Sequence, residues 1–426
     1  MSLLLKPGNK ISKFTPFYYG WLIVFASSTS MFSRNAAATL TMAIFVFPMS
    51  ESLGWSRTLI VGAAAVAGIV AVFVSPIVGF IIQKFGSRNL LTGSILLLGA
   101  TLISIRWISN PIQFYILFGI GRVIFQSPIQ IGASTVVAKW FVKGRGKATS
   151  ILGLSHSIGM GLFPLFAQLL IGSDNNNWRM AWFWIGISVW VIALPASYIF
   201  LVETPEEIGT KSNDDKKIDT EDKSKFKDEI SWSAKEAIKT SSLWILCIGS
   251  FLVFFIHTGV NIHQAAFLRD QGINATAAAA SLSIMALGSA IGSIIWGNLL
   301  DKISVKSVYI LLNIWLGLSS LLFLYVDSIL IAYPVALIFG IGLGGLLVVP
   351  PVAIANYFGR KSLGAIRGIT EPFISFGQSV GAISAGIIYD TTNSYEITFP
   401  IFTVVGIIGA LSMIFLKKIP VEKNIG

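Results

Sequence analysis

Charged residues and cysteine are scarce in this sequence of 426 residues. Only 12% of the residues are charged, about half the fraction in a typical soluble domain. By contrast, 54% are hydrophobic, and the mean hydropathy is +0.76. This balance excludes an ordinary soluble domain and indicates a chain whose solvent is largely lipid. The single cysteine, Cys247, excludes a disulfide framework and a cysteine-ligated metal cluster.

Two further signals are missing from the sequence. Residues 1–16 lack the apolar core and small-residue cleavage site of a secretory signal peptide, so we expect the first apolar segment to remain as a membrane anchor. The run Gly144–Ala148 lacks the spacing and the hydroxyl of a phosphate-binding loop. We therefore predict no nucleotide cofactor, and we expect ion or solute gradients to supply any energy.

Twelve segments are long and apolar enough to cross about 30 Å of hydrocarbon as helices. We place them at 17–47, 58–82, 89–108, 112–138, 149–171, 180–202, 241–267, 276–300, 307–326, 330–357, 368–389 and 397–417. The polar stretch from Glu203 to Lys239 divides them six and six, and its middle, Thr210–Lys217, has no apolar periodicity. We predict an N-terminal six-helix bundle at 1–202, a cytoplasmic linker at 203–240 and a C-terminal six-helix bundle at 241–426.

Lysine and arginine are distributed unevenly among the predicted loops. They are concentrated in the N-terminus, the central linker, the C-terminus and every second loop. The alternate loops hold only Arg57, Arg106, Arg179 and Arg269. By the positive-inside rule, both termini and the linker are cytoplasmic, as an even number of spans requires. The net charge of +11 is thus mostly a topology signal and gives no reason to expect nucleic-acid binding.

Short motifs of the first half recur in the second. The run GFIIQKFGSR at Gly79–Arg88 has a counterpart, GNLLDKISVK, at Gly297–Lys306. Phe118–Gly121 likewise recurs as Phe339–Gly342. A duplicated six-helix half indicates two bundles that rock about a central site near the bilayer midplane.

The repeated run resembles the loop motif of the major facilitator superfamily, Gly-x-x-x-Asp-Arg/Lys-x-Gly-x-Arg/Lys. The matching positions are Gly79, Lys84, Gly86, Arg88, Gly297, Asp301 and Lys302. Gln83 replaces the acid in the first copy, and Ser304 replaces the second glycine in the second copy. The resemblance implies an all-α integral membrane protein with twelve transmembrane helices in two six-helix bundles, and it implies a gating role for this loop.

Other stretches resemble the monocarboxylate-porter and oxalate/formate-antiporter branch of that superfamily. They are Tyr19–Trp21, Phe47–Met49, Gly54–Arg57, Lys139–Phe141, Asn177–Arg179 and His263–Gly272. The branch implies transport of small carboxylates, either proton-coupled or by exchange. It often carries an arginine in helix eight, where this chain has Ser293. Either the substrate is not a carboxylate, or its charge is met elsewhere.

Two arginines are the best candidates for meeting that charge. Arg34 and Arg122 fall near mid-membrane depth in the first and fourth predicted helices. An ionisable group at that depth is costly and is a functional candidate by default, and a guanidinium fork matches a carboxylate. The alternatives are a backbone-carbonyl partner or a side chain that snorkels outward. In the resembled fold helices 1, 4, 7 and 10 line the cavity, which implies a substrate-path position for both arginines.

Histidines and one acid are the candidates for proton coupling. Glu371 is a candidate proton carrier; the alternatives are a helix-start carboxylate near the cytoplasmic surface and an ion-pair partner for Arg367. His156 and His263 titrate in a suitable range, and His257 is a further candidate for substrate binding in helix seven. Each histidine could equally be packed or solvated. Their spacing does not favour a metal site.

These observations favour a secondary active transporter in the plasma (inner) membrane that moves a small organic anion, a monocarboxylate in chemical class, by alternating access, either proton-coupled or by exchange. The alternative within transporters is an exporter of neutral or cationic small molecules. A channel would need a selectivity filter or a charged ring, and a membrane enzyme would need reactive groups clustered at one depth. The sequence shows neither a channel filter nor such a cluster, so we predict neither a channel nor enzyme activity.

Overall fold

The computed structural model describes residues 11–12, 15–172, 177–209, 232–360 and 362–417, and helices lie at all twelve predicted spans within them. Spans 1 to 6 are Gly20–Leu53, Arg57–Phe85, Ser87–Trp107, Pro111–Trp140, Arg145–Ile171 and Trp178–Phe200. Spans 7 to 12 are Ser241–Asp270, Ala275–Leu300, Val305–Tyr325, Ile329–Phe358, Leu363–Thr392 and Thr398–Ile414. Across these described ranges, 10 spans are long and apolar enough to cross a membrane by length and composition. Span 11 is long but less apolar, and span 12 has only 17 residues.

Several helices begin earlier than the hydropathy pattern predicts. Span 5 begins at Arg145 rather than 149, and span 11 begins at Leu363 rather than 368. The difference arises because basic side chains occupy these first turns, and hydropathy assigns charged residues to the loops. The helices nevertheless include these residues, because Arg145 contacts Asn356 and Arg367 pairs with Glu371, so both cations are buried against protein partners.

Three spans are interrupted near their middle. Span 1 consists of Gly20–Ser33, a 3-10 turn at Arg34–Ala37 and Thr39–Leu53. Span 4 is interrupted at Ser127, just before Pro128, and span 10 is interrupted at Val348, before two prolines. Proline cannot donate a backbone hydrogen bond to the preceding turn, so an interruption there is expected. The break in span 1 has no proline and was not predicted.

The described residues form two compact units. The first unit contains the described parts of Met1–Lys143 and Ser155–Lys217, and the second contains those of Gly144–Leu154 and Ile218–Gly426. Within the first unit, span 2 packs on span 4, and span 3 packs on span 6. Within the second unit, span 8 packs on span 10, and span 9 packs on span 12. The repeated sequence motifs therefore correspond to a repeated pattern of helix packing.

Small residues allow spans 8 and 10 of the second unit to approach each other closely. A Cβ atom added to Gly292 would lie 2.1 Å from the carbonyl oxygen of Ile341, and one added to Gly344 would lie 2.3 Å from that of Ser289. Membrane helices pack through such small-residue contacts because their backbones can then approach closely. The glycine-rich run at 340–345 is thus a packing surface.

The predicted linker at 203–240 is described only at its two ends. A 3-10 turn forms at Pro205–Ile208, and a short helix forms at Ala234–Ala237, where Ser233 and Glu236 make a capping box. Thr210–Lys217, the stretch predicted to be flexible, lies outside the described residues.

Candidate functional site

The break in span 1 places a cation at the end of a helix. Arg34 follows the last residue of Gly20–Ser33 and begins the 3-10 turn, and it is 4% exposed. A helix C-terminus carries a partial negative charge, which favours a guanidinium at this position. Ala38 then adopts an extended conformation, and the chain turns helical again at Thr39. Interrupted spans that expose backbone groups are typical of binding sites inside membrane carriers.

Arg34 is held by spans 4 and 5. Its Nε and Nη2 lie 3.3 Å and 3.1 Å from Nδ1 of His156, and its Nη1 donates to the carbonyl oxygen of Phe125 at 3.0 Å. Nε and Nη2 form one edge of the guanidinium fork, the edge that a carboxylate can engage with two parallel hydrogen bonds. In this arrangement His156 accepts from that edge.

A neighbouring amide defines the state of the His156 ring. Asn35 Nδ2 lies 3.2 Å from His156 Nδ1 and donates to the His156 carbonyl oxygen at 3.1 Å. Amide and guanidinium nitrogens only donate, so Nδ1 must be the acceptor, and the ring proton is on Nε2. Gly159 allows this contact, because a Cβ there would lie 2.5 Å from the Phe32 carbonyl oxygen and 2.7 Å from the Asn35 amide nitrogen.

Phe125 brings the two predicted arginines together. The guanidinium carbon of Arg34 lies 4.6 Å from the centre of the Phe125 ring, and that of Arg122 lies 4.4 Å from it. A guanidinium within about 6 Å of an aromatic ring is attracted by the ring quadrupole. Both cations thus lie against one side chain of span 4, in the first unit.

Arg122 differs from Arg34 in its hydrogen bonding. Its Nε and Nη1 atoms are buried, and neither has a hydrogen-bond partner among the described residues. A buried donor without a partner costs about 1–3 kcal/mol, and more when the group is charged. Arg122 therefore presents donors that an anionic ligand could satisfy.

The candidates in span 7 are placed differently. His263 Nδ1 lies 3.0 Å from the Tyr395 hydroxyl, and its Nε2 lies 3.0 Å from the carbonyl oxygen of Ala382. Both ring nitrogens of His263 therefore have structural partners, since Nε2 donates to the carbonyl and Nδ1 accepts from the hydroxyl. His257 has a weaker contact, 3.4 Å from the Thr258 hydroxyl.

Glu371 forms an ion pair with Arg367, which was one of the alternatives left open by the sequence. Its Oε2 lies 3.3 Å from Arg367 Nη2, one helical turn earlier in span 11, and both side chains are buried. Burying either charge alone would be costly, so the pair accounts for the presence of both within the second unit.

Ser293 occupies a position with no room for an arginine. It is fully buried, donates to the Ser289 carbonyl oxygen at 2.9 Å, and lies 3.4 Å from the Gly344 carbonyl oxygen. This is the close contact between spans 8 and 10. The missing helix-eight arginine therefore coincides with tight helix packing in the second unit.

The two copies of the loop motif form different contacts. In the first copy Gly86 ends span 2 with φ +83°, a value that favours glycine, and Lys84 is exposed beside it. Gly79 is buried within the same helix. Glu203 accepts from the Arg88 backbone nitrogen at 3.2 Å, and the Ser87 hydroxyl donates to it at 3.2 Å. A carboxylate from the end of span 6 thus caps span 3.

In the second copy the motif acid itself caps a helix. Asp301 accepts from the backbone nitrogens of Gly146 and Lys147, at 3.0 Å and 3.1 Å, at the start of span 5. A Cβ on Gly297 would lie 2.6 Å from the Gly146 carbonyl oxygen, so glycine permits this approach. Lys302 follows on the exposed surface.

Sequence reasoning missed three residues of these sites. Asn35 and Phe125 contact His156 and the arginines, and Glu203 caps span 3. Phe125 follows Arg122 by three residues, which places them on the same face of a helix and was the one available signal.

Comparison with known proteins identifies the family to which this chain belongs. The model of the Major Facilitator Superfamily matches residues 21–282 and 246–425, so the chain belongs to this family of membrane transporters. The family fold has twelve helices in two bundles, which confirms the predicted fold class, and its members are transporters rather than enzymes.

Two distant relatives match most of the chain. The uncharacterised transporter YcxA of Bacillus subtilis (strain 168) is 22% identical over 389 residues, which is 88% of this chain and 90% of the relative. Human monocarboxylate transporter 10 is 22% identical over 95% of this chain and 79% of its own length. The structure of the proton:xylose symporter XylE, 14% identical, superposes with a TM-score of 0.72 over 94% of this chain and 96% of that one. This last likeness shows the fold alone.

Proposed function

We propose that this transporter carries a small organic anion, a carboxylate in chemical class, and that Arg122 and Arg34 bind it. The observation that carries the proposal is the pair of guanidinium groups against Phe125, with two buried donor nitrogens of Arg122 unsatisfied within the described residues. Similarity to human monocarboxylate transporter 10 supports the same substrate class.

Charge and geometry argue against a cationic substrate at this position. A cation beside Arg122 and Arg34 would meet like charge in a medium of low dielectric constant, where repulsion is weakly screened. A carboxylate would satisfy Arg122 Nε or Nη1 and would gain charge-assisted hydrogen bonds. An exporter of neutral solutes would not require two arginines at one ring.

His156 is the residue we propose for proton coupling. It accepts at Nδ1 from the fork edge of Arg34, the edge that a carboxylate would take. Proton binding at Nδ1 turns that atom into a donor and ends its acceptance from Arg34. The released edge of Arg34 and the imidazolium can then both donate to one carboxylate. Proton and anion thereby favour each other's binding, which is the thermodynamic basis of symport.

The charged groups around His156 agree with this role. Within the first unit, Arg34 faces the ring from span 1, and Arg122 lies on Phe125, whose ring is 6.1 Å from the His156 ring. A proton beside these cations needs a compensating anion. Glu371 and His263, the other coupling candidates, are bound to Arg367 and to Tyr395 with Ala382, and these contacts give them structural roles.

Transport in proteoliposomes with a panel of mono- and dicarboxylates would test both parts of the proposal. Counterflow exchange at equal pH reports anion binding, and uptake after an external acid step reports coupling. We expect Arg122→Gln and Arg34→Gln to lower exchange about 10-fold or more, since hydrogen bonds to charged groups contribute about 1.5–3 kcal/mol. Arg57→Gln removes an arginine elsewhere and is the control. We expect His156→Gln, which keeps an acceptor for Arg34, to retain exchange and lose the response to the acid step.

Different results would contradict the anion-binding part and the proton-coupling part of the proposal. Carboxylate exchange in both arginine variants at the level of Arg57→Gln would show that the anion proposal is wrong. A normal response of His156→Gln to the acid step, with exchange lost in the arginine variants, would remove only the coupling assignment. Exchange without any acid-step response in the unaltered protein would indicate antiport.

A further inference from the structure

An apolar furrow runs along the first unit on the side of span 4 that faces spans 2 and 3. Its volume is about 760 Å³, within the range of about 300–1,000 Å³ typical of ligand sites. Span 2 contributes six large apolar residues to its wall, Val66, Val70, Val74, Val78, Ile81 and Phe85. These residues repeat every three or four positions, so they form one stripe of the helix.

The furrow is elongated and open to the surroundings of the protein. From Val66 to Phe85 the helix rises about 28 Å, close to the hydrocarbon thickness of about 30 Å. Wall residues such as Val66, Leu97 and Ile116 remain 49%, 48% and 56% exposed. In a membrane transporter such exposed apolar side chains face lipid, so the furrow opens into the hydrocarbon layer.

The two ends of the furrow differ in polarity. Near the outer end, the Tyr115 hydroxyl donates to the Leu59 carbonyl oxygen at 2.8 Å and ties span 4 to span 2. At the other end lie Phe85 and Asn89, and the exposed Lys84 ammonium is 5.3 Å from the Phe85 ring centre. The furrow therefore has a cation at the end that the positive-inside rule assigns to the cytoplasmic leaflet.

Missing side chains create much of the space. Gly93 of span 3 and Gly119 of span 4 both line the furrow. A Cβ atom added to either glycine would have no neighbouring atom within 4 Å. The protein therefore leaves open space beside both glycines, where a Cβ atom would meet no neighbour.

We propose that the furrow binds one acyl chain of an anionic phospholipid, with its phosphate at Lys84. An acyl chain is the apolar, extended and flexible molecule that the surrounding bilayer supplies to such a space. Basic side chains at the cytoplasmic ends of spans attract anionic headgroups. The inference is independent of the transported substrate, because the hydrogen bonds and ring contacts described above for Arg34 and Arg122 are with His156 and Phe125, which are not residues of the furrow wall.

Native mass spectrometry of the full chain in detergent would test this site, with dioleoyl phosphatidylglycerol and dioleoyl phosphatidylcholine as probes. We expect the protein to retain phosphatidylglycerol in preference. The double variant Gly93→Leu/Gly119→Leu fills the furrow and should lose one bound phosphatidylglycerol. Gly161→Leu is the matched control, because that glycine of span 5 also has open space around its Cβ position. Lys84→Gln should weaken phosphatidylglycerol binding about five-fold.

Two results would overturn the proposal. One is equal phosphatidylglycerol occupancy in the filled variant and in Gly161→Leu, which would place the lipid elsewhere. The other is equal retention of the two lipids with no effect of Lys84→Gln, which would remove the headgroup assignment. The lysine is exposed, so its variant tests the site even if the double variant does not fold.

Discussion

At the residue scale, the glycines of this chain fall into two groups. Gly344 of span 10 leaves room for a neighbouring backbone, since a Cβ there would lie 2.3 Å from both the Ser289 carbonyl oxygen and the Ser293 nitrogen. Gly161 of span 5 has no atom within 4 Å of its Cβ position. Helical glycine is unfavourable without such a contact, because alanine loses less chain entropy.

We therefore expect Gly344→Ala to destabilise the second unit by about 1–3 kcal/mol, the range for overpacked cores. Gly161→Ala should leave stability unchanged or raise it by up to about 1 kcal/mol. Thermal unfolding in one detergent would check this, with a thiol-reactive dye as the probe. The dye is suitable because Cys247 is the only cysteine of the chain and is fully buried. Equal melting temperatures for the two variants would contradict the packing argument.

The membrane depth of the two arginines is a prediction from residue counts alone, whereas their environment could not be predicted from the sequence. Counting along a helix places Arg34 and Arg122 near the midplane because the rise per residue is constant. The contacts with Phe125, Asn35 and His156 depend on how spans 1, 4 and 5 pack. A single sequence, interpreted without an alignment of its relatives, contains no direct information about that packing.

At the element scale, a carboxylate at the end of span 6 holds the start of span 3. Glu203 accepts from the Arg88 backbone nitrogen and the Ser87 hydroxyl, and it pairs with the Lys139 ammonium of span 4. A negative charge at a helix N-terminus is stabilising, and a partly buried ion pair adds to it. The acid missing at Gln83 is thus not needed for the capping of span 3.

We expect Glu203→Gln to lower the stability of the first unit by about 1–2 kcal/mol, because it weakens charge-assisted hydrogen bonds. Glu206→Gln alters an exposed acid three residues later and should change little. Thermal unfolding followed by tryptophan fluorescence would measure both. If the Glu206 variant melts at the lower temperature of the two, the capping role assigned to Glu203 is wrong.

Helix positions were predictable from hydropathy, whereas their ends and interruptions were less so. Pro128 and Pro350 lie at the breaks in spans 4 and 10, where proline lacks an amide donor, but Pro76 and Pro164 lie inside unbroken helices, so proline alone does not predict a break. The break at Arg34–Ala37 had no such marker. There, contacts such as the Thr41 hydroxyl to the Asn35 carbonyl oxygen, at 2.7 Å, replace helical hydrogen bonds.

At the scale of the whole molecule, the duplicated sequence accounts for the repeated packing of spans within each unit. The same pairs recur six spans later, as in 2 with 4 and 8 with 10. The repeat did not predict which half would hold the arginine pair. Tight packing at Ser293 in one half and open donors on Arg122 in the other show that the halves have diverged.

The uneven distribution of basic residues among the loops predicts the orientation of the chain in the membrane. Basic residues flank one set of loops, so we expect the loop after span 8 to be cytoplasmic and the loops after spans 3 and 9 to be external. In a Cys247→Ala background, a membrane-impermeant maleimide should label Ser109→Cys and Asp327→Cys in intact cells. It should label Lys302→Cys only after the membrane is permeabilised. The opposite pattern would reverse the topology and would place Lys84 in the outer leaflet, where the proposed lipid site would meet fewer anionic headgroups.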